Sequence, residues 1–156
     1  MTSASASAPL DRPLYGASLS QAVRRFFAKY AVFTGRASLS EYWWSVLFVA
    51  VVSLVIWVPG IILGAVTGTR STDPTTGLAE SAPGPIFIPF VIVGFLLFLA
   101  VLVPGIAVTV RRLHDANLSG LLYLLVLVPS FGSLIVLVLT LLPSSPEGAR
   151  FDALSR

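Results

Sequence analysis

The sequence of 156 residues contains no cysteine, a single histidine and few charged side chains. The absence of cysteine excludes disulfide frameworks, thiolate metal sites and thiol nucleophiles. Charged residues make up 11% of the chain, whereas a soluble domain carries about 25%. The net charge of +3 is too small to indicate a nucleic-acid-binding protein. Hydrophobic residues account for 56% of the chain, and this composition indicates a membrane protein.

Three long tracts of the sequence lack Asp, Glu, Lys, Arg and His altogether. Each exceeds the roughly 20 apolar residues that an α-helix needs to cross about 30 Å of hydrocarbon. Because lipid offers no partners for unpaired backbone groups, the tracts must be helical. We therefore predict an all-α membrane protein with transmembrane spans near Tyr42–Val66, Ile86–Val110 and Leu118–Leu142.

The third tract is interrupted at Pro129 and Gly132. One kinked helix would cross the membrane, whereas two half-helices meeting at the interruption would form a re-entrant hairpin. Its length of about 25 residues is too short for two crossings of roughly 20 residues each. We favour a single kinked span, because proline is tolerated in membrane helices.

The predicted spans divide the chain into three parts. Residues 1–17 are rich in small residues and proline, and they lack the apolar core of a signal peptide, so we predict a flexible cytoplasmic tail. Residues 18–142 form a single membrane domain. Residues 143–156 form a C-terminal tail.

The segment before the first span has the pattern of an amphipathic helix. Ser18 with Gln21 forms a capping-box start, and apolar side chains recur on one face at 3.6 residues per turn. Such a helix suits the surface of an anionic membrane leaflet, where its basic residues contact lipid head groups. Packing of the same face on the protein's own spans is the alternative. The candidate lipid-surface residues are Arg24, Arg25, Phe26, Phe27 and Lys29.

The first span begins with a second capping box, formed by Ser38 and Glu41. Tyr42, Trp43 and Trp44 follow at once, and aromatic rings at a span end typically lie at the level of the lipid head groups. We interpret these three residues as interface anchors.

Lysine and arginine counts predict the orientation of the spans. Five basic residues precede the first span, and Arg111 and Arg112 lie between the second and third spans. The loop between the first two spans contains one basic residue, Arg70. The excess of positive charge places the N-terminus and the segment around Arg111 in the cytoplasm. The Thr/Ser/Pro/Gly-rich loop around Arg70 then faces outward, and its sequence shows no periodicity.

The segment RRLHD, residues 111–115, collects four polar side chains between two apolar tracts. One histidine without cysteine cannot supply the three or four ligands of a zinc site, so we expect no metal ion and no cofactor. Ser119 lies near His114 and Asp115 in sequence, which gives the composition of a catalytic triad without a nucleophile elbow. We therefore predict that the protein is not an enzyme.

A structural network is the preferred interpretation of these polar residues. Charges that lie at one interface, in a medium of reduced dielectric, are more stable when paired. We expect Glu41 to pair with Arg111, Arg112 or His114, and Arg36 to pair with Asp115. The predicted cytoplasmic polar cluster consists of Arg36, Glu41, Arg111, Arg112, His114 and Asp115.

Two stretches of the sequence resemble the signature regions of a known family. FFAKYAVFTGRASLSEYWW (residues 26–44) and RRLHDANLSGLLYLLVLVPSFG (residues 111–132) are similar to those of the YhaH/YhaI-like family of small bacterial inner-membrane proteins, a domain of unknown function. The sequence departs from the pattern at Leu121 and Leu122, where aromatic residues are usual, and the usual ending is only echoed by GARFDA. The family pattern corresponds here to Gly35, Arg36, Glu41, Tyr42, Trp43, residues 111–115, Ser119, Gly120, Pro129 and Gly132.

The resemblance implies a bacterial inner-membrane location and no established activity. Together with the residues, it favours a structural, interaction or assembly component that binds anionic lipid head groups. A membrane protein or a second copy of the chain is the candidate protein partner. A carrier or channel for a neutral or lipid-like solute is the first alternative function. An enzyme that uses His114 and Asp115 is the second.

Overall fold

The computed structural model describes residues 9–10 and 12–152, and the rest of both predicted tails lies outside these residues. The chain is mostly helical and forms two compact units. The first unit comprises the described residues up to Phe48 and from Leu102 onward, and the second unit is Val49–Val101. The elements are α1 Leu19–Ala28, α2 Leu39–Val66, β1 Thr69–Thr72, β2 Ala79–Ala82, α3 Phe87–Asp115 and α4 Gly132–Leu141, with 3₁₀ helices at Gly120–Leu127 and Pro146–Phe151.

Helices α2 and α3 are long and apolar enough to cross a membrane. Their 28 and 29 residues correspond to about 42–44 Å at 1.5 Å per residue. The predicted capping box starts α2, since Ser38 Oγ accepts from Glu41 N at 3.2 Å and Ser38 N donates to Glu41 Oε2 at 3.2 Å. Both helices tolerate an internal proline, Pro59 and Pro104.

Helix α1 begins as predicted, with a complete Ser18–Gln21 capping box. Its buried face differs from the predicted one, because Arg25 and Lys29 are buried together with Phe26. Phe27 is exposed. The face of α1 that packs on the protein therefore carries basic residues, whereas Leu19 and Phe27 of the predicted apolar face are exposed.

The third apolar tract does not form the single kinked span that we predicted. A 3₁₀ helix covers Gly120–Leu127, and α4 at Gly132–Leu141 is only 10 residues long, about 15 Å. The tract turns at Ser130, whose φ is +70°, and α4 packs back on the 3₁₀ helix. A Cβ atom at Gly132 would lie 1.7 Å from the carbonyl oxygen of Leu125, so only glycine permits this close approach.

Both ends of the third tract lie beside the C-terminal end of α3. The backbone N–H of Ser145 donates to the carbonyl oxygen of Asp115 at 2.8 Å. The tract is therefore a hairpin that returns to its starting point, which is the geometry that the re-entrant alternative requires. We call the segment Gly120–Leu141 the helical hairpin.

The second unit consists of the remaining parts of α2 and α3 and the segment that joins them. Glycines of one helix lie against aromatic rings of the other, since a Cβ at Gly60 would be 2.7 Å from Phe90 and one at Gly94 would be 2.5 Å from Trp57. The joining segment, predicted to be irregular, contains the antiparallel pair β1–β2, with Thr69 opposite Ala82. Its turn is held by Asp73, whose pKa is lowered because the carboxylate accepts hydrogen bonds from Thr75 N and Thr76 Oγ1.

The N-terminal residues that the structure describes are fixed to the first unit. Leu14 N donates to Glu41 Oε2 at 2.9 Å, and Ala17 N donates to Ser40 Oγ at 2.9 Å. Pro13 and Ala17 are buried. The prediction of a flexible tail therefore does not apply to residues 12–17, because their backbone groups are bound by polar side chains at the start of α2.

Candidate functional site: a buried polar cluster

The first unit contains all six residues of the predicted polar cluster, and hydrogen bonds or ion pairs join several of them to four further side chains. Arg111, Arg112, Glu41 and Asp115 are almost completely buried, although each carries a formal charge. Buried charges are rare unless they are paired and hydrogen-bonded. We define the polar cluster by its ten members, Tyr15, Arg25, Arg36, Glu41, Arg111, Arg112, His114, Asp115, Ser144 and Asp152.

Asp115 is bound by side chains from several segments of the first unit. Its exposed fraction is 0%, and its Oδ2 atom accepts from Arg112 Nη1 at 2.6 Å and from the Ser144 hydroxyl. Its Oδ1 atom accepts from Tyr15 Oη at 3.0 Å and lies 3.9 Å from Arg36 Nη1. The predicted Arg36–Asp115 ion pair is therefore present at long range. One carboxylate thus connects the N-terminal segment, α3 and the segment after α4.

Arg112 joins the helical hairpin to α3. Its Nε atom donates to the carbonyl oxygen of Thr140 at 3.0 Å, and its Nη2 atom donates to that of Leu142. The last carbonyl groups of a helix have no partner within the helix, and they form its negative end. Arg112 therefore stabilises the C-terminal end of α4 while its third nitrogen pairs with Asp115.

Glu41 has partners other than those predicted. Its Oε1 atom pairs with Arg25 Nε on α1, and its Oε2 atom accepts from the backbone of Leu14 and Ser38. Across the described residues, no hydrogen bond or ion pair joins Glu41 to Arg111, Arg112 or His114, so that part of the predicted network is wrong. The sequence analysis interpreted Arg25 as a lipid-surface residue because of the periodicity of α1. The pairing of Arg25 with Glu41 was therefore not predicted.

Arg111 lies close to Glu41 and Arg25 without a direct bond to either. Its Nε atom donates to the carbonyl oxygen of Ala107, one turn earlier in α3, at 3.2 Å. Its buried Nη2 atom has no hydrogen-bond partner among residues 9–10 and 12–152. The negative charge of Glu41 stabilises the Arg111 guanidinium, and the positive charge of Arg25 opposes it.

Arg36 connects α3 to the C-terminal segment. It forms a two-pronged ion pair with Asp152, in which Nη2 lies 2.7 Å from Oδ2 and Nε lies 3.0 Å from Oδ1. The hydrogen bonds to Asp152 raise the pKa of Arg36. Asp152 belongs to the GARFDA segment, whose partial similarity to the family ending was the only sequence signal for it.

His114 is held by the backbone and by aromatic stacking. Its Nδ1 atom lies 3.1 Å from the carbonyl oxygen of Gly35, and its ring stacks on Phe151 with centroids 4.1 Å apart and planes at 4°. The guanidinium of Arg150 lies over the same phenyl ring, 4.7 Å from its centroid. The C-terminal 3₁₀ helix is thereby fixed to the end of α3.

The geometry does not assemble the triad considered for His114. In the part of the chain that the structure describes, His114 makes no hydrogen bond to Asp115. Ser119 instead accepts from the backbone N–H of Leu121, which starts the 3₁₀ helix of the helical hairpin. Each of the three side chains is engaged by a neighbouring structural group.

Tyr15 was not predicted as part of the site. Its hydroxyl donates to Asp115 although its side chain is 56% exposed. Burial of the hydroxyl end and the negative charge of Asp115 raise the pKa of Tyr15. No pattern of the N-terminal sequence indicated this contact, since Tyr15 is separated from Asp115 by 100 residues.

The three predicted interface anchors have different environments. Tyr42 is buried and makes an edge-to-face contact with Trp43, with ring centroids 5.5 Å apart. Trp44 is 38% exposed. An anchoring role at the membrane surface is therefore open to Trp44 but not to Tyr42, whose ring is covered by the protein.

Comparison with known proteins decides the family. A family model described as "Protein of unknown function (DUF805)" matches residues 30–153. The chain belongs to this DUF805 family. Two proteins named "Inner membrane protein YhaI", from Escherichia coli strain K12 and from Escherichia coli O157:H7, are each 34% identical to it over 109 residues, which cover 70% of this chain and 73% of the relative. No solved structure matches.

The match confirms the family that the paired motifs predicted. Within this DUF805 chain, eight of the ten polar-cluster residues lie inside the matched range, and Tyr15 and Arg25 precede it. The two earlier residues contact Asp115 and Glu41, respectively. The N-terminal segment therefore completes a cluster whose other members lie in the DUF805 region.

Proposed function

We propose that this protein is a non-catalytic structural or interaction component of the bacterial inner membrane. The observation that carries the proposal is the enclosure of Asp115, whose carboxylate is bound by Tyr15, Arg112, Ser144 and, at longer range, Arg36. A carboxylate with four internal partners is arranged to fix chain segments relative to one another. The relatives named as inner membrane proteins support the location.

The proposed topology has two transmembrane spans, α2 and α3, and a re-entrant helical hairpin. The basic residues around α1 and at the end of α3 favour a cytoplasmic polar cluster. The return of the helical hairpin to Asp115 supports a cytoplasmic C-terminal segment. Arg150 then lies on the cytoplasmic side, as the excess of positive charge on that side requires. A third span that crossed the membrane would place Arg150 outside.

Single cysteines introduced at residues 73, 116 and 150 of this cysteine-free chain test the topology. A membrane-impermeant thiol reagent added outside should label Asp73→Cys only. Ala116→Cys and Arg150→Cys should react after the membrane is opened. External labelling of Arg150→Cys would restore the single kinked third span, and external labelling of Ala116→Cys would reverse the orientation.

The functional proposal is tested by cross-linking in native membranes with wild-type protein and two variants. A structural or interaction role predicts the same cross-linked assembly for wild type and His114→Ala, because no chemistry at the imidazole is needed. Arg112→Met should reduce the assembly, because it leaves Asp115 and the end of α4 without their bridging group.

Two results would contradict this function. The first is a small-molecule product that disappears in His114→Ala while the assembly is unchanged, which would identify an enzyme. The second is flux of a neutral solute into liposomes that contain the purified wild-type protein, which would identify a carrier.

A further inference from the structure

An exposed apolar edge follows the buried part of α1. It consists of four side chains, Phe27, Tyr30, Val32 and Phe33, each between 41% and 43% exposed. Three of the four lie after the end of α1 at Ala28, in the connection to α2. We call these four residues the apolar wedge. It differs from the predicted lipid-surface residues, of which Arg25, Phe26 and Lys29 are buried in the protein.

One ring contact sets the depth of the apolar wedge along α2. Phe27 meets Phe48 edge to face, with ring centroids 6.1 Å apart. Phe48 is nine residues beyond Leu39, the first residue of α2, which corresponds to about 13 Å along the helix axis. Phe27 therefore lies beside the apolar part of α2, well past its polar start at Ser38 and Glu41.

Other apolar side chains are exposed on α2 within one turn of Phe48. Trp44, Val46 and Leu47 are exposed on the first turns of α2 after its polar start. In a membrane-spanning helix, such side chains are covered by acyl chains. Trp44 lies one turn before Phe48, the contact of Phe27, so lipid that covers this side of α2 would also meet the apolar wedge.

The charge of this region complements an anionic lipid surface. Residues 13–40 contain no aspartate or glutamate and four basic residues, of which Arg25 and Lys29 are buried and Arg36 pairs with Asp152. Arg24 is exposed on α1, one turn before the apolar wedge. Basic residues next to an inserted apolar edge are the combination that binds anionic leaflets.

We propose that the apolar wedge inserts into the acyl region of the cytoplasmic leaflet, with Arg24 at the level of the lipid head groups. The inference rests on the proposed topology, in which this end of α2 is cytoplasmic. The partner is the lipid bilayer. Helix α1 contributes Phe27 to the apolar wedge, while its buried side is occupied by the Arg25–Glu41 pair.

The test uses the full-length chain in vesicles that contain zwitterionic and anionic phospholipids. Phe33→Cys and, as a second position, Tyr30→Cys each receive a spin label, because exposed side chains tolerate the change. Thr75→Cys, in the exposed turn between β1 and β2, is the matched water-exposed control. Collision of the label with oxygen, which concentrates in acyl chains, is compared with collision with a water-soluble nickel chelate.

Labels at residues 30 and 33 should show an oxygen-to-nickel accessibility ratio several-fold higher than the label at residue 75. A ratio equal to that at residue 75 would place the apolar wedge in water and overturn the proposal. Low accessibility to both reagents would also overturn it, since the region would then be covered by protein. Because the thiol labelling at residues 73, 116 and 150 is independent of these labels, failure of the apolar wedge is distinguishable from failure of the topology.

Discussion

Each of the two units of this chain is stabilised internally by a different kind of interaction. The first unit buries ionised side chains and satisfies them with one another and with backbone carbonyls, as at Asp115 and Arg112. In the second unit, glycines on one helix receive aromatic rings of the other, as at Gly60 with Phe90. Helix packing in lipid relies on close van der Waals contact at small residues, because apolar burial gives no preference for protein over lipid. Hydrogen-bonded ion pairs are directional, so they can fix the position of irregular segments. Packing between regular helices cannot do this.

The largest effect is expected from Asp115→Ala in the first unit. Removal of one partner leaves Arg112 buried without its counter-charge, and breaking a buried pair in this way costs about 3–5 kcal/mol of stability. Thermal unfolding of the purified protein in detergent measures the loss. The control Asp73→Ala, at the turn between β1 and β2, should shift the unfolding temperature far less. Equal shifts for the two variants would remove the distinction between buried and exposed carboxylates.

A smaller loss of stability is expected when a glycine is replaced by alanine. The loss depends on whether the added methyl group meets backbone, which cannot move, or a side chain, which can. Gly132→Ala places a methyl group on the backbone of Leu125, which cannot move without opening the helical hairpin, and overpacking of this kind costs about 1–3 kcal/mol. Gly94→Ala meets the side chain of Trp57, which can shift, and should cost less.

Gly105→Ala is the control for both glycine replacements, because no atom beyond the adjacent residues and the nearby backbone of α3 lies within 4 Å of the position that its added methyl group would occupy. It should gain stability through helix propensity, by up to about 1 kcal/mol. Unfolding temperatures of the three variants give the comparison. A Gly132→Ala variant as stable as Gly105→Ala would contradict the close approach of α4 to the 3₁₀ helix.

The pairing of Glu41 gives a coupling effect of intermediate size. A double-mutant cycle with Arg25→Met and Glu41→Gln should show a coupling energy of about 0.5–3 kcal/mol, as expected for residues in contact. The matched cycle of Glu41→Gln with Arg112→Met should be additive within about 0.5 kcal/mol, since the two side chains share no bond. Coupling in the second cycle and additivity in the first would favour the pairing that the sequence predicted.

The smallest effect concerns Tyr15, whose hydroxyl is only partly buried. The raised pKa in the folded state means that the neutral hydroxyl is favoured by folding. Its contribution is therefore fully present below the unfolded pKa of about 10, and it is lost as the pH rises through the higher folded value. Tyr15→Phe should be slightly less stable than wild type at neutral pH, and the difference should disappear at alkaline pH. A constant difference from about pH 9 to pH 11, on either side of the unfolded pKa, would contradict the Tyr15–Asp115 bond.

Much of the helical structure was predictable from local patterns. The capping boxes at Ser18 and Ser38 depend on residues three positions apart, and both form as predicted. The long apolar tracts around Trp57 and Phe98 allow only helices. The β1–β2 pair was missed, because its short strands are exposed on all residues and carry no alternation of apolar and polar side chains.

The polar cluster was predicted in composition and only partly in pairing. All six predicted residues lie in the first unit, and Asp115 pairs there with Arg36 and Arg112. The Arg36–Asp115 pair was predicted, but the pairing of Glu41 with Arg25 and of Arg36 with Asp152 was not, since Arg25 and Asp152 lie on segments whose approach depends on the whole first unit. A periodic pattern shows which residues share a face of α1, but it does not show what that face contacts.

The sequence by itself determined the two long apolar helices, the starts of α1 and α2 and the family, because each depends on local composition, on short-range spacing or on residue motifs. Only the tertiary structure decided that the third tract folds back and that Asp115 joins segments 100 residues apart. The interruption at Pro129–Gly132 is compatible with a kink and with a reversal. The choice between them depends on whether the far end of α4 finds a partner, and Arg112 supplies one by donating to the carbonyl oxygens of Thr140 and Leu142.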